Sequence, residues 1–138
     1  MTGKKTALFI CLLFILLILA VAPVCGDGEG PPVVRAILFH SPNCPHCHAI
    51  ITQVLPPLQD EHGEQLQVLL ADTSTPEGHV LYEQTAEYFR FERRVVPILG
   101  AGDVVLTGGQ EIPQSLPGLI EQGLAAGGVD WPAIPGFV

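Results

Sequence analysis

The most informative stretch of this sequence is residues 33–47, which read VVRAILFHSPNCPHC. Residues 33–39 are β-branched, aromatic or aliphatic apart from one arginine, a composition typical of a buried strand. Residues 40–43 have the chemistry of a turn, and from Pro45 onward apolar residues recur at helical spacing. Cys44 and Cys47 are therefore predicted to lie where a strand ends and a helix begins.

This placement of two cysteines favours redox chemistry. Backbone N–H groups in the first turn of a helix lack intrahelical partners and carry partial positive charge, so we expect the pKa of the Cys44 thiol to lie below the ordinary value of about 8.5. Pro45 and His46 are predicted to tune this pKa: Pro45 suits a first turn, where its missing N–H costs little, and His46 adds a positive charge when protonated. The prediction is a working dithiol with Cys44 as the nucleophile and Cys47 as the resolving thiol.

The composition limits the alternatives. The chain has 138 residues and a net charge of −8, which indicates one domain plus a leader and argues against nucleic acid as a partner. Of the four cysteines, Cys11 and Cys25 belong to the leader, so a disulfide inside the domain must join Cys44 and Cys47. A bridge that closes so short a loop gains little entropy, which favours a working dithiol over a structural staple.

The leader predicts export. Lys4 and Lys5 precede an uncharged apolar run over residues 7–24, so residues 1–25 are interpreted as a membrane anchor or a cleaved signal peptide, with lipidation of Cys25 as a third alternative. Residues 26–32 are a Gly/Pro-rich flexible linker. Each alternative places the domain outside the cytoplasm, in the periplasm or at the cell surface, where disulfides persist.

The rest of the chain predicts an α/β domain over residues 33–128 and an apolar tail over residues 129–138. Strands are expected over 66–70, 95–99 and 104–106, the last two forming a hairpin. Helices are expected from Pro76 to about Phe91, with Val80, Leu81, Ala86 and Phe89 buried, and over 112–126. The order is β-α-β-α-β-β-α, which gives a central mixed four-stranded sheet flanked by helices.

This order, with a Cys-x-x-Cys after the first strand, resembles the thioredoxin fold over residues 33 to 127. The other features that carry the resemblance are the Val96-Pro97 step that opens the third strand and the terminal helix after the hairpin. In thioredoxin-like proteins this proline is cis and faces the dithiol, and the residue before it offers backbone groups to a substrate chain. The resemblance therefore implies that Val96 and Pro97 bind the substrate backbone.

The Pro-His dipeptide between the cysteines is similar to that of periplasmic disulfide oxidases of the Dsb type, which implies a lean towards oxidation. Two features depart from known patterns. Leu38 stands where thioredoxins carry a buried aspartate, and the segment between Cys47 and Pro97 is too short for the helical insertion of Dsb-type oxidases. Similar small anchored domains accompany bacterial homologues of vitamin K epoxide reductase, which implies such a homologue as the membrane redox partner.

The expected function is thus a membrane-tethered thiol–disulfide oxidoreductase that acts on client proteins with cysteine thiols and needs no metal or other cofactor. The alternative is a binding module. Cys47-His48 completes a Cys-x-x-Cys-His haem-attachment pattern, with His62 or His79 as the distal ligand. A zinc or copper site would combine the two cysteines with one of three nearby histidines, or with His79 in a copper relay; the three are His40, His46 and His48.

Overall fold

The structure is a computed structural model that describes residues 30–137. The predicted leader over residues 1–25, and most of the predicted linker, lie outside the described residues. Among the helices of residues 30–137, none is both long and apolar enough to span a membrane.

A mixed four-stranded sheet forms the centre of an α/β fold. The strands are β1 (Val34–His40), β2 (Leu66–Asp72), β3 (Ile98–Ala101) and β4 (Val104–Thr107). Their order in the sheet is β2-β1-β3-β4, with β1 parallel to β2 and antiparallel to β3, and with β3 antiparallel to β4. The predicted sheet is confirmed. Residues 36–39 of β1 are fully buried, because β1 is an inner strand with both faces covered.

Helices cover both faces of the sheet. On one face Val34, Ala36 and Leu38 of β1 belong to a core shared with apolar residues of the helices that follow the dithiol and of the last helix. On the other face Ile37 and Phe39 pack in a second core with Tyr82 of the middle helix. The alternation of side chains along β1 separates the two cores.

The helix after the dithiol is continuous but changes its winding. It consists of α1 (Pro45–Ala49), a π-helical segment (Ile50–Val54) and α2 (Leu55–His62). The wider segment lies just ahead of two consecutive prolines, Pro56 and Pro57. Because a proline ring clashes with the carbonyl four residues earlier, the backbone widens, and the Leu55 N–H bonds to the Ile50 carbonyl five residues back.

After a short 3₁₀ turn (Gly63–Gln65) and β2, helix α3 spans Pro76–Tyr88 and starts at the predicted residue, with Thr75 as its N-cap. The predicted buried face is partly wrong. Val80 is 55 % exposed, whereas Tyr82 and Thr85 are buried beside Ala86. Helix α3 ends earlier than expected, because Arg90 adopts a left-handed φ of 55° and the Phe91 N–H turns back to the Ala86 carbonyl.

The last helix, α4 (Gly108–Ala125), begins four residues before the predicted start at Ile112. The Glu111 carboxylate accepts a hydrogen bond from the Thr107 N–H at 2.8 Å, which caps the first turn. The glycines at 108 and 109, which the predicted bounds leave between the hairpin and this helix, are the first two residues of the helix. Pro113 and Pro117 lie inside it.

The C-terminal segment is part of the packed structure. Ile134 is 1 % exposed in the second core, and Trp131 packs against the same core. Val129 forms an isolated parallel bridge with Val34, through the hydrogen bonds Val129 N–H to Val33 carbonyl and Arg35 N–H to Val129 carbonyl, each 2.9 Å. The tail thus adds backbone pairing at the start of β1.

Candidate functional site

The site lies at the junction of β1 and α1. After β1 the chain turns at residues 41–43, and the Cys44 N–H donates to the Ser41 carbonyl at 3.1 Å. Cys44 is extended, with φ −98° and ψ 109°, and is the N-cap of α1. The Cα atoms of Cys44 and Cys47 are 5.2 Å apart, and the two sulfur atoms are at disulfide distance. The predicted strand-to-helix placement of the dithiol is therefore confirmed.

The two sulfurs have different surroundings. Cys47 is 1 % exposed, whereas Cys44 is only partly buried. The Cys44 sulfur accepts a hydrogen bond from the Cys47 N–H at 3.2 Å, as an N-cap side chain does. A thiolate at position 44 would retain this donor and would lie at the positive end of the helix dipole. The sulfur that solvent can reach is thus also the one whose negative charge the backbone favours.

The Val96-Pro97 step faces the dithiol. Its peptide bond is cis, and the Val96 carbonyl oxygen lies 3.8 Å from the Cys44 sulfur. Pro97 is buried, and its carbonyl accepts the Gly108 N–H at 2.8 Å. The structure therefore brings Val96, Pro97 and the dithiol together, as the resemblance implied. The predicted third strand begins later than expected, at Ile98, because Val95 and Val96 lie in the loop before the cis bond.

His46 is exposed and packs on the first turn of α4. A Cβ atom at Gly109 would stand 2.8 Å from His46 Nδ1 and 3.0 Å from His46 Cβ, so only a glycine leaves this space open. Pro45 is exposed at the first position of α1, where its missing N–H leaves no orphaned donor. The pKa-tuning roles of His46 and Pro45 remain predictions.

Of the other histidines, His48 is exposed on α1 directly after Cys47. His62 lies at the end of α2 and His79 lies in the first half of α3. His40 lies at the end of β1, and its carbonyl accepts hydrogen bonds from the N–H and the hydroxyl of Thr73. Within residues 30–137 no group of three or more His, Cys, Asp or Glu side chains is placed to hold a metal ion.

Sequence reasoning missed one residue near the site. The Tyr82 hydroxyl, on α3, donates to the Val95 carbonyl at 2.7 Å. Burial raises the pKa of Tyr82 above its ordinary value. Tyr82 and Val95 are 13 positions apart and belong to different elements, so no local pattern reveals the contact. Its only signal in the sequence is an aromatic residue with a polar tip inside a helical pattern.

A search of known protein families finds none that matches the chain, and a search of curated proteins finds no relative. The cysteine pair at disulfide distance and the mixed sheet with its helices are compatible with a thioredoxin-like fold.

Proposed function

We propose that this protein is a thioredoxin-like thiol–disulfide oxidoreductase that exchanges the Cys44–Cys47 disulfide with the thiols of client proteins. The observation that carries the proposal is the asymmetry of the pair at the start of α1. One sulfur is reachable and accepts a backbone N–H, and its partner is 1 % exposed directly behind it. In exchange through a mixed disulfide, access decides which sulfur is attacked, so this asymmetry directs the client thiol to Cys44 and leaves Cys47 as the leaving or resolving thiol.

The proposed reaction moves two electrons from a client to the protein. A client thiolate attacks the Cys44 sulfur, a new client–Cys44 disulfide forms, and the Cys44–Cys47 bond breaks with Cys47 leaving as a thiolate that takes up a proton. A second client thiolate then attacks the client sulfur of the mixed disulfide and releases Cys44 as a thiolate. The client ends as a disulfide and the protein as a dithiol. In the reverse direction Cys44 is the nucleophile and Cys47 resolves the mixed disulfide.

The balance is proposed to lean towards oxidation of clients. Whatever stabilises the Cys44 thiolate stabilises the dithiol form, and about 1.4 kcal/mol shifts the potential by about 30 mV towards a stronger oxidant. The Cys47 N–H supplies such stabilisation, and His46 in its protonated form would add to it. Leu38 is fully buried at the position of the thioredoxin aspartate, so no carboxylate is available there to assist a reductase.

The client chain is proposed to lie against Val96 and Pro97. The Val96 carbonyl faces Cys44, and no backbone group within residues 30–137 pairs with it. Beside this step runs a groove of about 420 Å³ that could take residues flanking the client cysteine. The groove is lined by Phe91, Glu92, Arg93, Val95, Ile98 and Thr107.

Export and reoxidation complete the proposal. The basic start and apolar run of residues 1–25 would hold the domain at the outer face of a membrane. An oxidant must restore the disulfide after each cycle, and a membrane protein related to vitamin K epoxide reductase is the proposed source of oxidising equivalents.

The test is the reduction potential of the Cys44–Cys47 couple in the full-length protein, equilibrated with glutathione buffers. Thioredoxin has a potential of about −270 mV and a strong oxidant one of about −120 mV. We expect the potential of this couple to lie well above the first value and towards the second. A value near −270 mV would reverse the proposed direction of electron flow. Failure to form the disulfide would overturn the oxidoreductase function, and bound copper or a haem absorption band in the purified protein would replace it with the binding module.

Matched cysteine variants complete this test. Cys44→Ser should abolish exchange with a reduced peptide. Cys47→Ser, offered two peptides joined by a disulfide, should trap a mixed disulfide, because the Cys44 thiolate attacks one peptide sulfur and the other peptide leaves as a thiol. The control is the double variant Cys11→Ser/Cys25→Ser, which should retain full exchange. Full activity in Cys44→Ser, or its loss in the control, would contradict the assignment of the site.

A further inference from the structure

A buried tyrosine, Tyr82, hydrogen-bonds to the backbone of the segment before Pro97. Tyr82 is 5 % exposed, and its ring lies between Phe39 and Phe91, with centroid distances of 5.4 Å and 6.3 Å. Its hydroxyl ends at the Val95 carbonyl, 2.7 Å away. The aromatic contacts fix the ring, and the hydrogen bond ties the loop to helix α3 at one defined backbone atom.

A second hydrogen bond ties Pro97, at the end of the same segment, to the start of α4. The Pro97 carbonyl accepts the Gly108 N–H, at the start of α4, at 2.8 Å. The carbonyls on either side of Val96 are thus both occupied by internal donors. Within residues 30–137 no backbone group pairs with Val96 itself, whose carbonyl lies 3.8 Å from the Cys44 sulfur.

We propose that Tyr82 is a positioning residue for the client chain, which it affects through Val95 without touching the client. By occupying the Val95 carbonyl, the hydroxyl fixes the peptide plane between Val95 and Val96. This orientation decides where the Val96 N–H points, and hence whether an extended client segment can pair with Val96 while its sulfur reaches Cys44. The inference rests on the proposed function, because it concerns how the same site binds its client.

The alternative role of Tyr82 is core packing alone, and the two roles predict different effects of Tyr82→Phe. This substitution keeps the ring contacts with Phe39 and Phe91 and removes only the donor. If the hydroxyl positions the loop, client binding weakens while the chemistry at the sulfur is unchanged. If it only stabilises the core, any effect on exchange follows from lost stability and is the same for every substrate.

The experiment compares two reduced substrates in single turnovers of the full-length protein in its disulfide form, so that no oxidant is needed. KM is here the half-saturating substrate concentration, and kcat is the limiting rate constant of that one turnover. One is a flexible peptide with two cysteines, which offers a backbone for pairing, and the other is dithiothreitol, which has none. For Tyr82→Phe we expect the KM for the peptide to rise about 3- to 10-fold, the range that the loss of one neutral hydrogen bond gives. The kcat for the peptide, the rate with dithiothreitol and the reduction potential should stay at the wild-type values.

The matched control is Tyr88→Phe. Tyr88 lies on the same helix, is 43 % exposed, and its hydroxyl has no hydrogen-bond partner among residues 30–137. This variant should leave both substrates unaffected. An unchanged peptide KM in Tyr82→Phe would overturn the inference, and so would a parallel loss with dithiothreitol or a failure to fold. If the wild-type protein oxidises neither substrate, the proposed function fails instead.

Discussion

The unequal surroundings of the two sulfurs predict that the two thiols react at very different rates. The perturbation is a pair of single variants, Cys47→Ser and Cys44→Ser, made in a background that carries Cys11→Ser and Cys25→Ser. Each protein then has one thiol, either the reachable one at the N-cap of α1 or the one that is 1 % exposed. The assay is the rate of alkylation by iodoacetamide, which reacts with the thiolate.

The size of the difference follows from the contacts of Cys44. At pH 7 a thiol of ordinary pKa is about 3 % thiolate, so stabilising the thiolate can raise its reactive fraction by at most about 30-fold. A hydrogen bond to a charged group contributes about 1.5–3 kcal/mol and a helix N-terminus about 0.3–1 kcal/mol, while a tenfold gain needs only about 1.4 kcal/mol. The N–H of residue 47 and the start of α1 together therefore bring Cys44 close to the limit.

The surroundings of Cys47 slow its alkylation in two ways. Burial disfavours its thiolate and also hinders the reagent. We expect the thiol of Cys47→Ser to react at least about 10-fold faster at pH 7 than the thiol of Cys44→Ser. About 3-fold comes from the larger thiolate fraction of Cys44 after allowing for the lower nucleophilicity of a low-pKa thiolate, and the rest from the burial of Cys47. Equal rates would refute the reasoning, and so would a rate for Cys44 no higher than that of free glutathione at the same pH.

Three further predictions concern stability. Gly78→Ala should lower the free energy of unfolding by about 1–3 kcal/mol in a urea titration, because its Cβ would stand 2.7 Å from the carbonyl carbon of Asp72. Gly118→Ala, whose Cβ would have no neighbour among residues 30–137 nearer than 3.8 Å apart from the adjacent backbone, should raise the free energy of unfolding by up to about 1 kcal/mol. A change of the same sign in both variants would contradict this packing argument. The Ser74 hydroxyl and N–H lower the pKa of Asp72, so its carboxylate stabilises the fold above pH 3.8, and this stabilisation is lost as the pH falls through the pKa of the folded state. Ser74→Ala should therefore move acid unfolding, followed by circular dichroism, to higher pH. Burial raises the pKa of Tyr82, so the stability contributed by the neutral hydroxyl is complete below pH 10 and is lost as the pH rises through the pKa of the folded state. In Tyr82→Phe the free energy of unfolding should therefore fall less steeply with pH above 10. An unchanged pH dependence would argue against burial of Tyr82 as its cause.

The junction that carries the dithiol could be predicted because its signals are local. The apolar run of β1, the turn residues and the proline at the start of α1 lie next to one another in the sequence. Each signal acts through backbone preferences that need no distant partner. The position of Cys44 at the first turn of a helix was therefore available from the sequence alone.

The buried face of α3 could not be predicted in the same way. Val80 and Leu81 are more apolar than Thr85, yet Thr85 is fully buried and Val80 is 55 % exposed. The Thr85 hydroxyl donates to the Leu81 carbonyl at 2.7 Å, which satisfies the polar group inside the core. Which face of a helix is buried depends on its rotation against the sheet, and a hydrophobic pattern this weak does not determine that rotation.

The start of α4 shows a second limit. Two consecutive glycines disfavour a helix, and the sequence therefore predicted that α4 starts only at residue 112, after the glycines at 108 and 109. The structure stabilises this turn through the Glu111 carboxylate, the Pro97 carbonyl and the imidazole of His46 packed on Gly109. The latter two contacts come from distant parts of the chain, so they are visible only once the chain is folded.

The pairing of Val129 with the start of β1 has a mechanical consequence. A pull on the residues ahead of Pro32 would first load the hydrogen bond from the Gln65 side chain to the Pro32 carbonyl at 3.2 Å. It would then load the hydrogen bonds of Val129 with Val33 and Arg35, and the ion pair of Arg35 with Asp130 at 3.5 Å. Asp130 is itself held by the Gly102 N–H through its carbonyl. Strain from a tether would thus be shared with the β3–β4 turn at one end of the sheet, while the cysteines at the other end of β1 keep their geometry.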